Sequence, residues 1–194
     1  HLTYLQLKYN ELTSLDLSGC TSMVELAVSN NNLSSLDVTG CTAMVTIYAY
    51  NNELTAIDLS TNDLLEQVYV NNNQLTSIDV SDKPNLANLF VSDNQLTSID
   101  VSNNPLLNQL NIISNQLTSL EISNNTLLTR LWANNNELTS MDVTNNDTLV
   151  FLYLESNSLT TVTGVNDKTH LTYLQLKYNE LTSLDLSGCT SMVE

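Results

Sequence analysis

Hydrophobic and polar residues alternate along this chain with one dominant period. Units begin at Leu2, Met23, Met44, Leu65, Leu86, Leu107, Leu128, Leu149 and Leu171, each 21 residues long except the eighth, which has 22. Unit position 4 is Leu5, Leu26, Ile47, Val68, Leu89, Leu110, Leu131, Leu152 and Leu174. Position 6 is Leu7, Val28, Ala49, Val70, Val91, Ile112, Ala133, Leu154 and Leu176. Two apolar positions separated by one variable residue predict a short strand with one face buried. The alternation returns at positions 14 and 16, as in Leu15 and Leu17 or Ile78 and Val80. Only about ten residues follow the first strand and its turn, too few for a helix with two connections. The back of each coil is therefore expected to be extended or a short 3₁₀ turn. Identical coils stack, so the strands should line up in one parallel sheet.

Position 9 is asparagine in all nine units: Asn10, Asn31, Asn52, Asn73, Asn94, Asn115, Asn136, Asn157 and Asn179. A carboxamide both donates and accepts, so it can satisfy the backbone groups stranded at an inward turn. Stacked every coil, these side chains are expected to form a structural ladder inside a dry core. The template L-x-x-L-x-L-x-x-N-x-L followed by T-S-L-D-V-S-x-N-x-x resembles the leucine-rich repeat family over essentially the whole chain. Within it, the unit length is similar to the short bacterial repeats of secreted and surface proteins, including internalin-like adhesins. The resemblance implies a mainly β, right-handed solenoid with a parallel sheet on the concave face and an extended or 3₁₀ convex side. It also implies an extracellular or cell-surface setting, and a concave surface used for recognition. The helical N-terminal cap and following immunoglobulin-like domain of internalins have no counterpart in these residues.

A longer period overlies the short one. Residues 1–25, HLTYLQLKYNELTSLDLSGCTSMVE, recur unchanged at 170–194, an offset of 169. Neighbouring units are far less alike: the first two share 9 of 21 residues, so fold constraint does not explain the identity. The chain reads as a single uncapped array over 1–194, with one long period at 1–169 and the start of an identical second period at 170–194. Nine units and the beginning of a tenth are present. The irregular eighth unit carries Val162, Thr163, Gly164 and Val165 where others read L-D-V-S. Such an array is expected to continue in a longer chain or to associate with itself, head to tail or laterally. At about 4.8 Å per coil, eight coils advance roughly 40 Å.

All eleven aromatic residues fall at positions that flank the inward residues of the first strand. Tyr48, Tyr69, Phe90, Trp132 and Tyr153 share position 5, interrupted by Asn111, and Tyr50 and Phe151 lie beside them. With Arg130 and Glu155 they form the candidate binding surface, suited to a protein or glycan partner, because contiguous exposed aromatics mark contact faces. The same stripe is also what strand-favouring residues produce by cross-strand packing.

Position 15 is an acidic column of Asp16, Asp37, Asp58, Asp79, Asp100, Glu121, Asp142 and Asp185, broken at Thr163. Solvation, plus hydrogen bonds to neighbouring Ser and Thr hydroxyls such as Ser14 and Ser35, is expected to offset its repulsion. Ca²⁺ coordination by Asp16, Asp37, Asp58, Asp79, Asp100 and Asp142 is the alternative, although no glycine-bearing calcium loop accompanies them. Cys20 and Cys41 occupy one position in adjacent coils, within range of a disulfide, or serve as two small buried thiols. Cys189 copies Cys20.

Twenty-one acidic against five basic residues give a net charge of −16. Nucleic acid is then an improbable partner, because phosphates repel such a surface. No apolar run approaches the roughly 20 residues of a membrane span, so membrane insertion is not expected. There is no His/Cys metal spacing, no phosphate-cradling glycine loop and no nucleophile with a base. The sequence thus predicts a cofactor-free, non-catalytic protein: a segment of a tandem-repeat surface fibre, filament or stalk. The alternatives are an adhesin or ligand-binding module, and an engineered repeat array.

Overall fold

The computed structural model describes residues 1–192; Val193 and Glu194, in the partial tenth unit, lie outside the described residues. Each unit forms one coil of a solenoid. Nine three-residue strands, β1 (Tyr4–Gln6), β2 (Glu25–Ala27), β3 (Thr46–Tyr48), β4 (Gln67–Tyr69), β5 (Asn88–Phe90), β6 (Gln109–Asn111), β7 (Arg130–Trp132), β9 (Phe151–Tyr153) and β11 (Tyr173–Gln175), make one parallel sheet in chain order. Strands β8 (Ser140–Asp142) and β10 (Thr161–Thr163) pair on the opposite side as a second, two-stranded parallel sheet. Register is strictly one unit per step, as in Leu26↔Ile47 and Ile47↔Val68.

The core is the column between these two sides. In the second to eighth coils, the side chains at positions 1, 4, 6 and 11 are all fully buried. Position 16 is nearly as dry, from Val38 at 0% exposed to Leu59 at 2%. No helix is present among the described residues. The back of each of the first eight coils consists of two successive turns closed by i+3 hydrogen bonds, such as Cys20 N–H to Leu17 O at 3.0 Å and Met23 N–H to Cys20 O at 3.0 Å.

The inward turn depends on position 8. All nine residues there, from Tyr9 (φ 59°) to Tyr178 (φ 56°), are left-handed. Asparagine and aspartate tolerate that region best, and Asn30, Asn51, Asn72, Asp93 and Asn135 occupy it in five coils.

The extra residue of the eighth unit is absorbed at Gly164. Val162 still pairs with Met141 and Thr163 with Asp142, and Val165 returns to the core at 1% exposure. Gly164 has φ 73°, and a Cβ there would meet Thr144 Cα at 2.4 Å. Only glycine fits this bulge.

Candidate functional site

Four columns of side chains run along the stack, and each is built by repetition rather than by convergence of distant segments. The first is the asparagine ladder at position 9. Asn94 is 8% exposed; its Nδ2 donates to Val91 O in its own coil and to Val70 O in the preceding coil, both at 3.1 Å. Its Oδ1 accepts from Leu75 N–H at 2.9 Å. The same three bonds recur for Asn31, Asn52, Asn73, Asn115, Asn136, Asn157 and Asn179. Each amide thereby ties its coil to the one before. Asn10 has no preceding coil and bonds only to Leu7 O and Lys8 O.

A second ladder, at position 19, escapes a reading of the sequence because the column is mixed. Asn62, Asn104, Asn125 and Asn146 are fully buried. Each donates from Nδ2 to two carbonyls of the preceding coil, as Asn125 does to Val101 O (2.9 Å) and Asn104 O (3.0 Å). Cys20, Cys41, Lys83, Lys168 and Cys189 fill the same position elsewhere. Lys168 threads its apolar stem through this column with a fully buried side chain. Its Nζ donates to Thr144 O at 3.0 Å and to Asp147 and Asp167 at 2.8 Å each. Burial disfavours the ammonium, but the hydrogen bonds to the two carboxylates outweigh it and raise the lysine pKa; the bond to Lys168 lowers that of Asp167. Cys20 and Cys41 are free thiols. Burial, then the neighbouring Cys20, pushes the Cys41 thiol up.

Neighbouring Ser and Thr residues do compensate the acidic column, but not the ones the sequence reading named. Its hydrogen-bond donors are not Ser14 or Ser35 but the residues two positions after each carboxylate. Ser18 N–H donates to Asp16 at 2.8 Å, Thr39 N–H to Asp37 at 3.0 Å and Thr144 N–H to Asp142 at 2.9 Å. The hydroxyls of Thr39 and Thr144 add bonds of 2.6 Å and do most to lower the pKa of Asp37 and Asp142. At Asp16, Asp79 and Asp185 the backbone amide leads. Each carboxylate is thus held by its own local turn. Among the described residues, no three His, Cys, Asp or Glu side chains come together as a metal would require, so the geometry gives the calcium reading of this column no support.

The fourth column lies on the outer face of the large sheet. Tyr48 stacks on Tyr69 with centroids 4.8 Å apart and planes 14° from parallel. Tyr69 lies 4.9 Å from Phe90, and Phe90 leans across the Asn111 gap to reach Trp132 at 5.8 Å. Lys8 Nζ sits 4.4 Å over the Tyr48 ring and covers its remaining face. Burial raises the pKa of Tyr48 and Tyr69. A second, shorter stack joins Phe151 and Tyr173 at 4.8 Å and 5°, with Tyr153 edge-on to Phe151 at 6.2 Å and Arg130 over its ring at 5.2 Å. Tyr50 and Glu155, half-exposed, occupy position 7 on the flank. Tyr48 against Tyr69 and Phe151 against Tyr173 stack face to face, whereas Phe90 and Trp132 are tilted by 46°.

Solved structures of known proteins share this architecture. The functional domain of InlJ from Listeria monocytogenes, which includes a cysteine ladder, is 32% identical over 98% of this chain and 47% of its own, with a TM-score of 0.77. A leucine-rich repeat protein of Leptospira interrogans superposes with a TM-score of 0.90 over 98% of this chain and 53% of its own, at 24% identity. The LRIM1/APL1C complex matches at 26% identity over 92% of this chain and 35% of that one, with a TM-score of 0.75. The chain therefore spans about half the length of these structures or less. No family model matches it, and neither does any curated protein. Fold, unit length and ladder together define a leucine-rich repeat solenoid. Its units are of the short, internalin-like kind.

Proposed function

We propose that this chain is a non-catalytic segment of an extracellular or surface protein, in which 169-residue periods stack head to tail into one stalk. The observation that carries this is how the repeated sequence seats: residues 171 onward copy residues 2 onward, β11 pairs in register with β9, and Leu171 is fully buried on the eighth coil. Met23, which opens the second coil and follows the first copy of the repeat, is likewise fully buried. The repeat sequence is therefore compatible with a preceding eighth coil and a following second coil, as an unbroken array needs. The internalin-like neighbours support the setting.

The sheet face serves as the stalk's contact surface, and a protein partner suits it better than a glycan. Sugar rings bind aromatic side chains face on, and Tyr48 and Tyr69 at the start of the column turn their faces toward each other while Lys8 covers the open side of Tyr48. Edges, tyrosine hydroxyls and the neighbouring Gln67, Asn88 and Gln109 form a flat amphipathic strip of the kind protein interfaces favour. That a relative forms the LRIM1/APL1C complex supports the same reading. Electron microscopy of native material tests the stalk. Rods whose lengths fall in multiples of roughly 40 Å, eight coils at the strand spacing, agree with it, and discrete particles of one fixed size refute it.

A further inference from the structure

The accessible positive charge of this chain lies on one side. Lys83 and Lys168 are buried in the stack. The other basic residues, Lys8, Arg130 and Lys177, stand on the large-sheet side, each beside an aromatic ring. From Thr46 to Asn134 that side carries no carboxylate at positions 3, 5 or 7. Its position-3 row runs Gln67, Asn88, Gln109 and Arg130 through β4 to β7, one N–H-bearing side chain per coil in strict register. The ring column at position 5 stands beside that row. The opposite side has the complementary plan. Position 15 presents one exposed carboxylate per coil from Asp16 to Asp142. Each closes its turn with one oxygen: Oδ1 of Asp58, Asp79 and Asp100 accepts from the N–H of Ser60, Ser81 and Ser102 at 2.9 Å. Among the described residues, the second oxygen accepts no bond. Beside this column, position 13 is a row of small exposed residues such as Ser77, Ser98 and Ser119. The two rows flank an inward residue, as Ser140 and Asp142 flank Met141 in β8.

We infer that the large-sheet face of one copy packs on the acidic back of a second copy. The position-3 side chains donate to the free carboxylate oxygens, and the ring column lies against the serine row. This rests on the reading of the sheet face as a protein contact surface and names the partner as a second copy of this chain. Front and back are two-row lattices of the same dimensions. On both, the rows lie two extended residues apart, about 6.6–6.8 Å, and the coils follow at about 4.8 Å. Hydrogen bonds to an ionised acceptor are roughly twice as strong as neutral ones, and this contact makes one per coil. An unrelated acidic segment in extended form presents same-side carboxylates about every 6.6–6.8 Å, so it falls out of step with the coils. The back of another stack keeps step over any number of them. Both faces run along the side of the stack and stay free whatever precedes or follows these coils. Because front meets back, the contact is heterologous and repeats, adding stalks side by side into layers.

Sedimentation velocity of the 1–194 chain from micromolar to millimolar concentration tests this, at about 0.15 M salt, where charges more than about 8 Å apart are largely screened. A back variant carries Asp79→Asn, Asp100→Asn and Glu121→Gln, whose amide oxygens can still close each turn. A front variant carries Gln109→Glu and Arg130→Glu, which set carboxylates against carboxylates. Each should raise the concentration needed for assembly by about tenfold or more. Gln67→Glu with Asn88→Glu is a second front block, away from the contact of Arg130 with Phe151. Leu106→Asp adds a negative charge on the flank, at an exposed leucine, and should leave assembly unchanged. Circular dichroism melting shows that each variant is folded. Mixed in equal amounts, the front variant supplies an intact back and the back variant an intact front. The mixture should therefore form one-to-one pairs of twice the monomer mass and nothing longer. A parent chain that stays monomeric at millimolar concentration overturns the inference, as does assembly that survives either variant or a mixture that forms no pairs. A monomeric chain that loses a different protein partner on Trp132→Ala would keep the sheet face as a contact surface and remove only the second copy as its occupant.

Discussion

Replacing Asn94 by alanine isolates what one rung of the inner ladder contributes. The carbonyls it serves keep a donor after the substitution: Val91 O retains Asn115 at 3.1 Å, and Val70 O retains Asn73 at 3.0 Å. Ser92 O retains Asn72 N–H at 2.9 Å. Leu75 N–H is different, because Asn94 Oδ1 is its partner at 2.9 Å and Leu75 is fully buried. Leaving that donor unpaired costs about 1–3 kcal/mol, and weakening the shared carbonyl bonds adds about 1 kcal/mol. A total of about 3 kcal/mol corresponds to a fall of about 6–12 °C in melting temperature for a chain of this size, measured by circular dichroism. Asn10→Ala is the internal control. Asn10 is exposed and bonds only within its own coil, so its loss should cost under about 0.5 kcal/mol. If the two variants melt together, or Asn94→Ala shifts the midpoint by less than about 2 °C, the ladder does not hold the coils as described.

Lys168→Met keeps the apolar stem whereas Lys168→Ala empties it, so the alanine variant should be less stable by about 2 kcal/mol in urea unfolding; equal stabilities would deny the stem a packing role. The carboxylates at position 15 have folded pKa values lowered by their turn hydrogen bonds. Their stabilisation is therefore present above the unfolded value of about 4 and is lost as pH falls through the lowered folded values. Melting should weaken below about pH 4, and an array more stable there than near neutrality contradicts the assignment. Trp132→Ala removes the end of the ring column at a cost of about 1 kcal/mol; the chain should stay folded while losing its protein partner, and unchanged binding would move the contact face elsewhere. Calcium and magnesium at equal ionic strength should raise the melting temperature alike by screening, and a calcium-specific rise would restore the metal reading.

The sheet and its core were legible because two apolar positions per strand recur in every unit, and the inner ladder because position 9 never varies. Position 19 hid a second ladder. Cysteine, asparagine and lysine share no single chemistry by which a sequence column is recognised. Burial of Lys83 (2%) and Lys168 (0%) runs against the usual exposure of lysine; the stem lies in the stack and the amine reaches the edge. The aromatic stripe was visible as a surface, but not its consequence for partners. A ring repeat at strand spacing brings neighbouring centroids to 4.8 Å at Tyr48 and Tyr69, which closes the ring faces. The donors of the acidic column were misplaced by direction along the chain. A carboxylate turn is closed by the amide that follows, at Ser18 or Thr39, rather than by a hydroxyl that precedes it.

Head-to-tail continuation is the central claim, and the junction at His170 is where to measure it. A chain carrying two joined 169-residue periods, solved by crystallography or cryo-electron microscopy, should show one unbroken parallel sheet across that junction. Met192, now 36% exposed, should be as fully buried as its copy Met23. A break in the sheet after coil 9, with Met192 still in solvent, would contradict the continuous stalk.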